Sequence, residues 1–242
     1  MEQIENKQVA LVTGGNKGIG FEIVRGLLQA GCRVYLGTRD VAKGQRAAAD
    51  LAAEGGEVVV IELDSHRPAI LDAAATRIQR EAGRLDILVN NAGINVPGDG
   101  PVSSAAVSSV EQVLRTNVLG TLAVTQAFLP LVKRSAAGRI VNVSSPVGSL
   151  ALNAQKAWPL FGYAASKAAV NMLTVQLAYE LRDTAVKVNS AAPGYTATDL
   201  NRFAGTDTPA QGAAEAIRLA LLPPDGPTGT TSSSSTQGPI PW

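Results

Sequence analysis

The feature that most constrains the fold is an alternation that runs along most of the chain. Short apolar runs are each followed by a longer stretch of helical periodicity. Gln8–Thr13 (QVALVT), Arg33–Thr38, Glu57–Leu63 (EVVVIEL), Ile87–Asn90, Arg139–Ser144 and Val186–Ala191 read as strands. Helices are predicted over Gly18–Ala30, Val41–Glu54, roughly Ala69–Ala82, roughly Val107–Lys133 with Pro130 in the last turn, Tyr163–Asp183 and Pro209–Leu221. In the first of these, Ile19, Ile23, Leu27 and Ala30 share a face, and Gly31 lies just beyond the end. Strands joined by helical crossovers run parallel with right-handed connections, and continuously apolar strands indicate a sheet covered on both faces. The expectation is a doubly wound α/β fold in a single domain over residues 1–242.

Composition narrows the partners. At 242 residues, 45% hydrophobic and 17% charged, the chain can bury a sizeable core. A net charge of +1 gives no electrostatic reason for a nucleic-acid partner. No apolar run is long enough to span a membrane, and Met1–Lys7 lacks the apolar core of a secretion signal, so the expected location is the cytoplasm. The one cysteine, Cys32, excludes an intrachain disulfide and reads as a small apolar residue opening a strand. The only histidine, His66, has no metal-binding neighbours, reads as a surface residue, and no metal site is expected. The low-complexity stretch Thr228–Gly238, centred on Ser232–Ser235, reads as a solvated loop within a tail over 228–242.

The chemistry-bearing residues sit where strands end. Thr13-Gly14-Gly15-Asn16-Lys17-Gly18-Ile19-Gly20 joins the first strand to the first helix, and glycines there let the backbone approach a pyrophosphate at a helix N-terminus. The second strand ends in Thr38-Arg39-Asp40. A guanidinium at that point favours a 2′-phosphate, with Lys17 as a second cation, whereas Asp40 either pairs with Arg39 or faces away. Asn90-Asn91-Ala92-Gly93 ends the fourth strand and Ser144-Ser145 the fifth. Asn117 lies inside the long helix, where its propensity is modest. Tyr163 and Lys167 are four apart and share a helix face.

In this order and at these positions the motifs resemble the short-chain dehydrogenase/reductase family from about Gln8 to Pro224, and the carbonyl reductases within it. Thr38–Gly44 and Leu221–Gly229 (LLPPDGPTG) carry the subgroup likeness. The resemblance implies a Rossmann-type sheet of about seven strands and an oxidoreductase that reduces ketones or aldehydes, preferring NADPH over NADH. It implies Tyr163 as general acid, Ser145 as hydrogen-bond donor to the substrate oxygen, Lys167 holding the nicotinamide ribose, and Asn117 ordering a water beside Lys167. Ser145 is preferred to Ser144 because the family pattern places the catalytic serine second. Gly14, Asn16, Lys17, Gly18, Ile19, Gly20, Arg39, Asn91, Ala92 and Gly93 are expected at the cofactor, with Asp64 and His66 near the adenine and Pro193, Gly194, Thr196 and Thr198 near the nicotinamide. Serine and tyrosine are further apart than is usual in the family, so a short insertion lies within Ser149–Gly162. Val147, Leu152, Trp158, Phe161 and Tyr195 are expected to line an apolar substrate pocket, with Trp158 either a pocket wall or a packing residue. Tyr195 and the Asn201–Thr208 region are expected to form a lid. A seventh strand of mostly Ser and Thr is expected to be weak or exposed. Pairing into a homodimer or homotetramer is expected through the helices bearing Asn117 and Tyr163. Other readings are a non-catalytic NADPH-binding regulator and another reductase on the same fold.

Overall fold

The computed structural model describes residues 7–156, 158–233 and 238–242. The first six residues, part of the segment read against a secretion signal, and Ser234, Ser235 and Thr236 of the Ser/Thr run lie outside them.

The alternation is borne out. Strands β1 (Val9–Thr13), β2 (Arg33–Thr38), β3 (Val58–Glu62), β4 (Ile87–Asn90), β5 (Arg139–Val143), β6 (Lys187–Ala191), β7 (Thr231–Ser233) and β8 (Gly238–Pro239) form one sheet in the order 3-2-1-4-5-6-7-8. Among the described residues this is eight strands, where about seven were expected. All neighbours pair parallel except β7 and β8, which are antiparallel. The order in which strands are added reverses between β1 and β4, and that switch point opens a crevice at the carboxyl ends of the strands.

Helices α1 (Gly18–Gln29), α2 (Val41–Ala52), α3 (Pro68–Ala82), α4 (Val107–Leu114), α5 (Gly120–Val132), α6 (Leu150–Gln155), α7 (Phe161–Glu180) and α8 (Pro209–Ala220) cover the sheet. Successive residues of β1 serve opposite faces. Val9 and Leu11 pack with Leu71, Ile78, Phe128 and Leu177 of α3, α5 and α7. Ala10 and Val12 pack with Ile23, Leu51 and Leu219 of α1, α2 and α8. This period-2 division is why β1 is buried at every position. Cys32 lies in the second core and burial pushes its thiol up to about 11, so it behaves as a small apolar residue.

Three expectations are corrected. The predicted helix over Val107–Lys133 is interrupted by a π-helical turn, Arg115–Leu119, which contains Asn117. Thr121 Oγ donates to the Asn117 carbonyl at 2.7 Å. The insertion before Tyr163 carries a helix of its own, α6, and α7 begins at Phe161. The Ser/Thr strand β7 is buried, not exposed, and is not a solvated loop. Part of its polarity is met by α8: Ser232 donates to the buried Glu215 carboxylate, which also pairs with Arg218 at 2.7 Å, whereas the buried Thr231 hydroxyl has no hydrogen-bond partner among the described residues.

Candidate active site

The glycine turn is shaped by backbone sterics. Gly14 and Gly18 have φ of +65° and +54°, in the left-handed region that side chains disfavour. A Cβ on Gly20 would collide with the Gly14 carbonyl and the Asn91 side chain. The turn is pinned from β4: Asn91 Nδ2 donates to the Thr13 carbonyl at 2.9 Å, while Thr13 Oγ accepts from the Asn91 and Ala92 amides at 3.0 and 2.9 Å. From the other side Thr38 Oγ donates to Asn16 Oδ1 at 3.2 Å. No side chain caps the start of α1, so its first N–H groups are unclaimed by a cap. This cradle fits a dinucleotide pyrophosphate, and a side chain at Gly20 would force the turn itself apart.

The charges at the turn are arranged in a way the sequence left open. Asp40 does not pair with Arg39. It caps α2, accepting from the Lys43 amide at 3.0 Å, and its carboxylate pairs with Lys43 Nζ at 3.2 Å. Those contacts hold its carboxyl below the usual range. Arg39 is exposed, with no ion-pair partner among the described residues. Lys17 is not free: it pairs with Asp199, just beyond β6. Asp64 Oδ1 accepts from the His66 amide, and His66 is half-buried against Thr116 Oγ at 3.3 Å, not a bare surface residue.

The two serines at the end of β5 differ sharply. Ser144 is buried and donates to Asn171 Oδ1 at 2.6 Å. Ser145 is half-buried, caps the 3-10 turn Pro146–Gly148, and has its side chain close to that of Tyr163. Burial pushes the Tyr163 phenol up to about 12, while the nearby Ser145 side chain acts the other way. Lys167 is buried beside it, with Nζ 5.5 Å from the Tyr163 ring centre. Its ammonium donates to the Val143 carbonyl at 2.8 Å, and no other partner for it occurs among the described residues. Burial pushes it down to about 8. A buried ammonium with unclaimed protons fits a ligand rich in hydroxyl groups, such as a ribose.

Asn117 converges on the same spot. A Cβ built on Gly93 would lie 3.4 Å from Asn117 Oδ1 and 3.6 Å from Lys167 Nζ. Asn117 Oδ1 accepts from the Ile94 amide at 2.8 Å, and its Nδ2 donates to the Ile94 carbonyl and to Ser166 Oγ at 2.9 and 3.1 Å. Its side chain thus clamps the chain beyond β4.

Sequence reasoning missed Asp99. Its carboxylate accepts from the Gly162 and Tyr163 amides at 2.7 and 2.9 Å and so caps the first turn of α7. No local pattern connects it to Tyr163, 64 residues away.

Trp158 and Phe161 line a cleft of about 330 Å³ with Gly100, Pro101, Val102 and Asn153. Ser145, Val147, Leu152 and Tyr163 are not among its walls, so it adjoins the Ser145–Tyr163 pair and does not enclose it. Pro193 and Thr196 are buried beyond β6, Gly194 and Thr198 are half-buried, and Thr198 Cγ2 would lie 3.4 Å from a Cβ on Gly18. Tyr195 is exposed. Within the segment expected as a lid, the Tyr195 carbonyl accepts from the Thr206 and Asp207 amides at 2.7 and 2.9 Å.

Comparison with known proteins decides the family. The family model described as short chain dehydrogenase matches residues 8–209. The chain is a short-chain dehydrogenase/reductase. This short-chain dehydrogenase/reductase is 36% identical to carbonyl reductase [NADPH] 1 of the mouse, Mus musculus, over 93% of this chain and 95% of that one. That alignment spans 273 positions, more than the 242 residues here, so the mouse protein carries stretches without a counterpart in this chain. It is 31% identical to (+)-neomenthol dehydrogenase of Capsicum annuum, covering 94% and 96% of the two chains. The structure of salutaridine reductase from Papaver somniferum superposes with a TM-score of 0.83 at 32% identity, covering 93% of this chain and 99% of that one. The expected family and fold are therefore borne out, and the protein is an oxidoreductase of the carbonyl reductase-like kind.

Proposed function

We propose that the protein reduces ketones or aldehydes with apolar substituents to alcohols, reversibly, with NADPH preferred over NADH. The observation that carries the reading is the closeness of the Ser145 and Tyr163 side chains beside the buried Lys167 ammonium, at the sheet edge that also holds the glycine turn. The cofactor preference rests on Arg39, whose guanidinium is uncommitted while Asp40 is turned into α2. The name of the mouse relative points the same way.

Residues around the glycine turn and Lys167 would hold the cofactor, which supplies hydride to the substrate carbon. Tyr163 acts as the acid. With its pKa near 12 the phenol is protonated at neutral pH and can give its proton to the carbonyl oxygen as negative charge develops there. Ser145 donates a second hydrogen bond to that oxygen, a contact that strengthens as the charge grows. Lys167, mostly ammonium below about pH 8, stabilises the phenolate left behind. Asn117 keeps the chain beyond β4 clear of the ammonium and is suited to hold a water through which Tyr163 regains its proton. In the reverse direction the phenolate must form first, so alcohol oxidation should rise with pH.

The test is a panel of ketones and alcohols assayed with NADPH and NADH. Turnover of apolar ketones with NADPH, lowered by at least about a hundredfold in Tyr163→Phe, is expected for loss of the general acid. An inert wild-type protein that still binds NADPH would favour a non-catalytic binding protein.

A further inference from the structure

Helix α6 poses a packing problem. Its six residues include none that is buried, and Leu150 is 72% exposed, so the core does not hold it. Yet Asn153, the fourth residue of α6, forms part of the wall of the cleft next to Tyr163. What holds it is polar. Ser149, only 1% exposed, caps α6 by accepting from the Leu152 amide at 3.1 Å, and its hydroxyl donates to the Pro241 carbonyl. The Ala151 amide donates to the Trp242 carbonyl at 3.1 Å. Asn153 Nδ2 closes the turn onto the Val147 and Ser149 carbonyls at 2.7 and 2.8 Å.

The segment that receives α6 is itself fastened to the sheet. After β8, the Ile240 amide donates to the Thr231 carbonyl at 2.8 Å, and the Ile240 side chain is 5% exposed. The chain then leaves the sheet and offers two successive carbonyls, of Pro241 and Trp242, to the start of α6. Pro241 has no N–H to spend elsewhere and a restricted φ, which suits a short rigid connection. The buried serine hydroxyl would be expensive to leave without a partner.

We propose that Ile240–Trp242 is a strap that sets the position of α6, and that Ser149 and Ile240 are positioning residues for the substrate cleft. The strap acts on the reaction assigned under Proposed function and rests on that reading. It touches neither the Ser145–Tyr163 pair nor the glycine turn, so it governs how large carbonyl substrates seat, not the proton transfer or the cofactor.

The experiment uses the full chain. Trp158, in the cleft, and Trp242, in the strap, are the only tryptophans, so Trp242→Phe leaves Trp158 as a single reporter while keeping the Trp242 backbone carbonyl. In that background Ser149→Ala and Ile240→Ala are expected to make Trp158 about twofold or more accessible to acrylamide. Each should raise KM for a bulky apolar ketone about three- to tenfold, Ser149→Ala through one lost hydrogen bond and Ile240→Ala through the lost packing that seats the strap on the sheet. The kcat and the NADPH dissociation constant should stay within about twofold. Ser149→Thr, which keeps the hydroxyl, should restore both readings. Unchanged quenching and KM in both variants would overturn the strap, as would equal losses in kcat, KM and NADPH affinity. If the wild-type protein turns over no ketone, the functional reading fails instead. Quenching then decides the strap alone: increased exposure supports it and unchanged exposure overturns it.

Discussion

At the residue scale, two neighbouring hydroxyls at the end of β5 have separate fates because one has a buried amide to bind and the other lies close to a phenol. Ser144→Ala leaves Asn171 Oδ1 without its donor, at about 1–3 kcal/mol for a buried acceptor. Melting temperature should fall while activity per folded molecule persists. Ser145→Ala should do the reverse, with little change in melting and a loss of about a hundredfold in kcat, the scale of one donor to a developing oxyanion. Lys167 carries a second test. Its folded pKa, about 8, lies below the usual lysine value, so the fold bears the cost of a buried ammonium at neutral pH. That cost is complete below about pH 8 and fades as pH rises towards the unfolded value near 10.4. Lys167→Met should therefore be more stable than wild type at pH 7, by on the order of 3 kcal/mol from the size of the shift, with the gap closing by about pH 10. Tyr163 has the opposite slope: its raised pKa makes wild-type stability fall between about pH 10 and 12. Thermal melts across pH 6–10 check the lysine effect, and a constant gap would contradict it.

At the scale of elements, the end of β2 and the start of α2 share out two adjacent residues. Asp40 serves the helix, and Arg39 is left exposed with no ion-pair partner among the described residues. Asp40→Ala should lower the melting temperature slightly, as a lost N-cap, and leave NADPH affinity unchanged. Arg39→Ala should weaken NADPH much more than NADH, with stability unaltered. Titration of both variants with both nucleotides reads the difference, and a parallel loss for the two nucleotides would remove Arg39 from the phosphate site. The same scale explains why the burial of β7 differs from the expectation. A run of serines has no apolar face to predict burial from, and its burial depends on Glu215 and Arg218, which α8 brings alongside. The π turn around Asn117 was legible only as a residue of poor propensity in a helical stretch. The extra residue in that turn places the side chain against Ile94 and Ser166.

At the scale of the whole molecule, the expected self-association has a physical counterpart. Leu119 and Leu122 on one side, and Met172 and Tyr179 seven apart on α7, are exposed apolar side chains on the helices expected to pair. We propose a second copy of the chain as their partner. Met172→Glu should shift sedimentation towards monomer, whereas an unchanged species distribution would place any interface elsewhere. Periodicity and backbone sterics act over a few residues, and they suffice to specify the strand–helix alternation, the glycine turn and the order of Ser145, Tyr163 and Lys167. Which charges are free and what holds the site follow from contacts made between distant segments of the folded chain. Asp199 reaches Lys17 across 182 residues, Asp99 caps the turn bearing Tyr163 across 64, and Pro241 receives Ser149 across 92. Such partners are selected by proximity in the folded chain, a distance that no local pattern encodes.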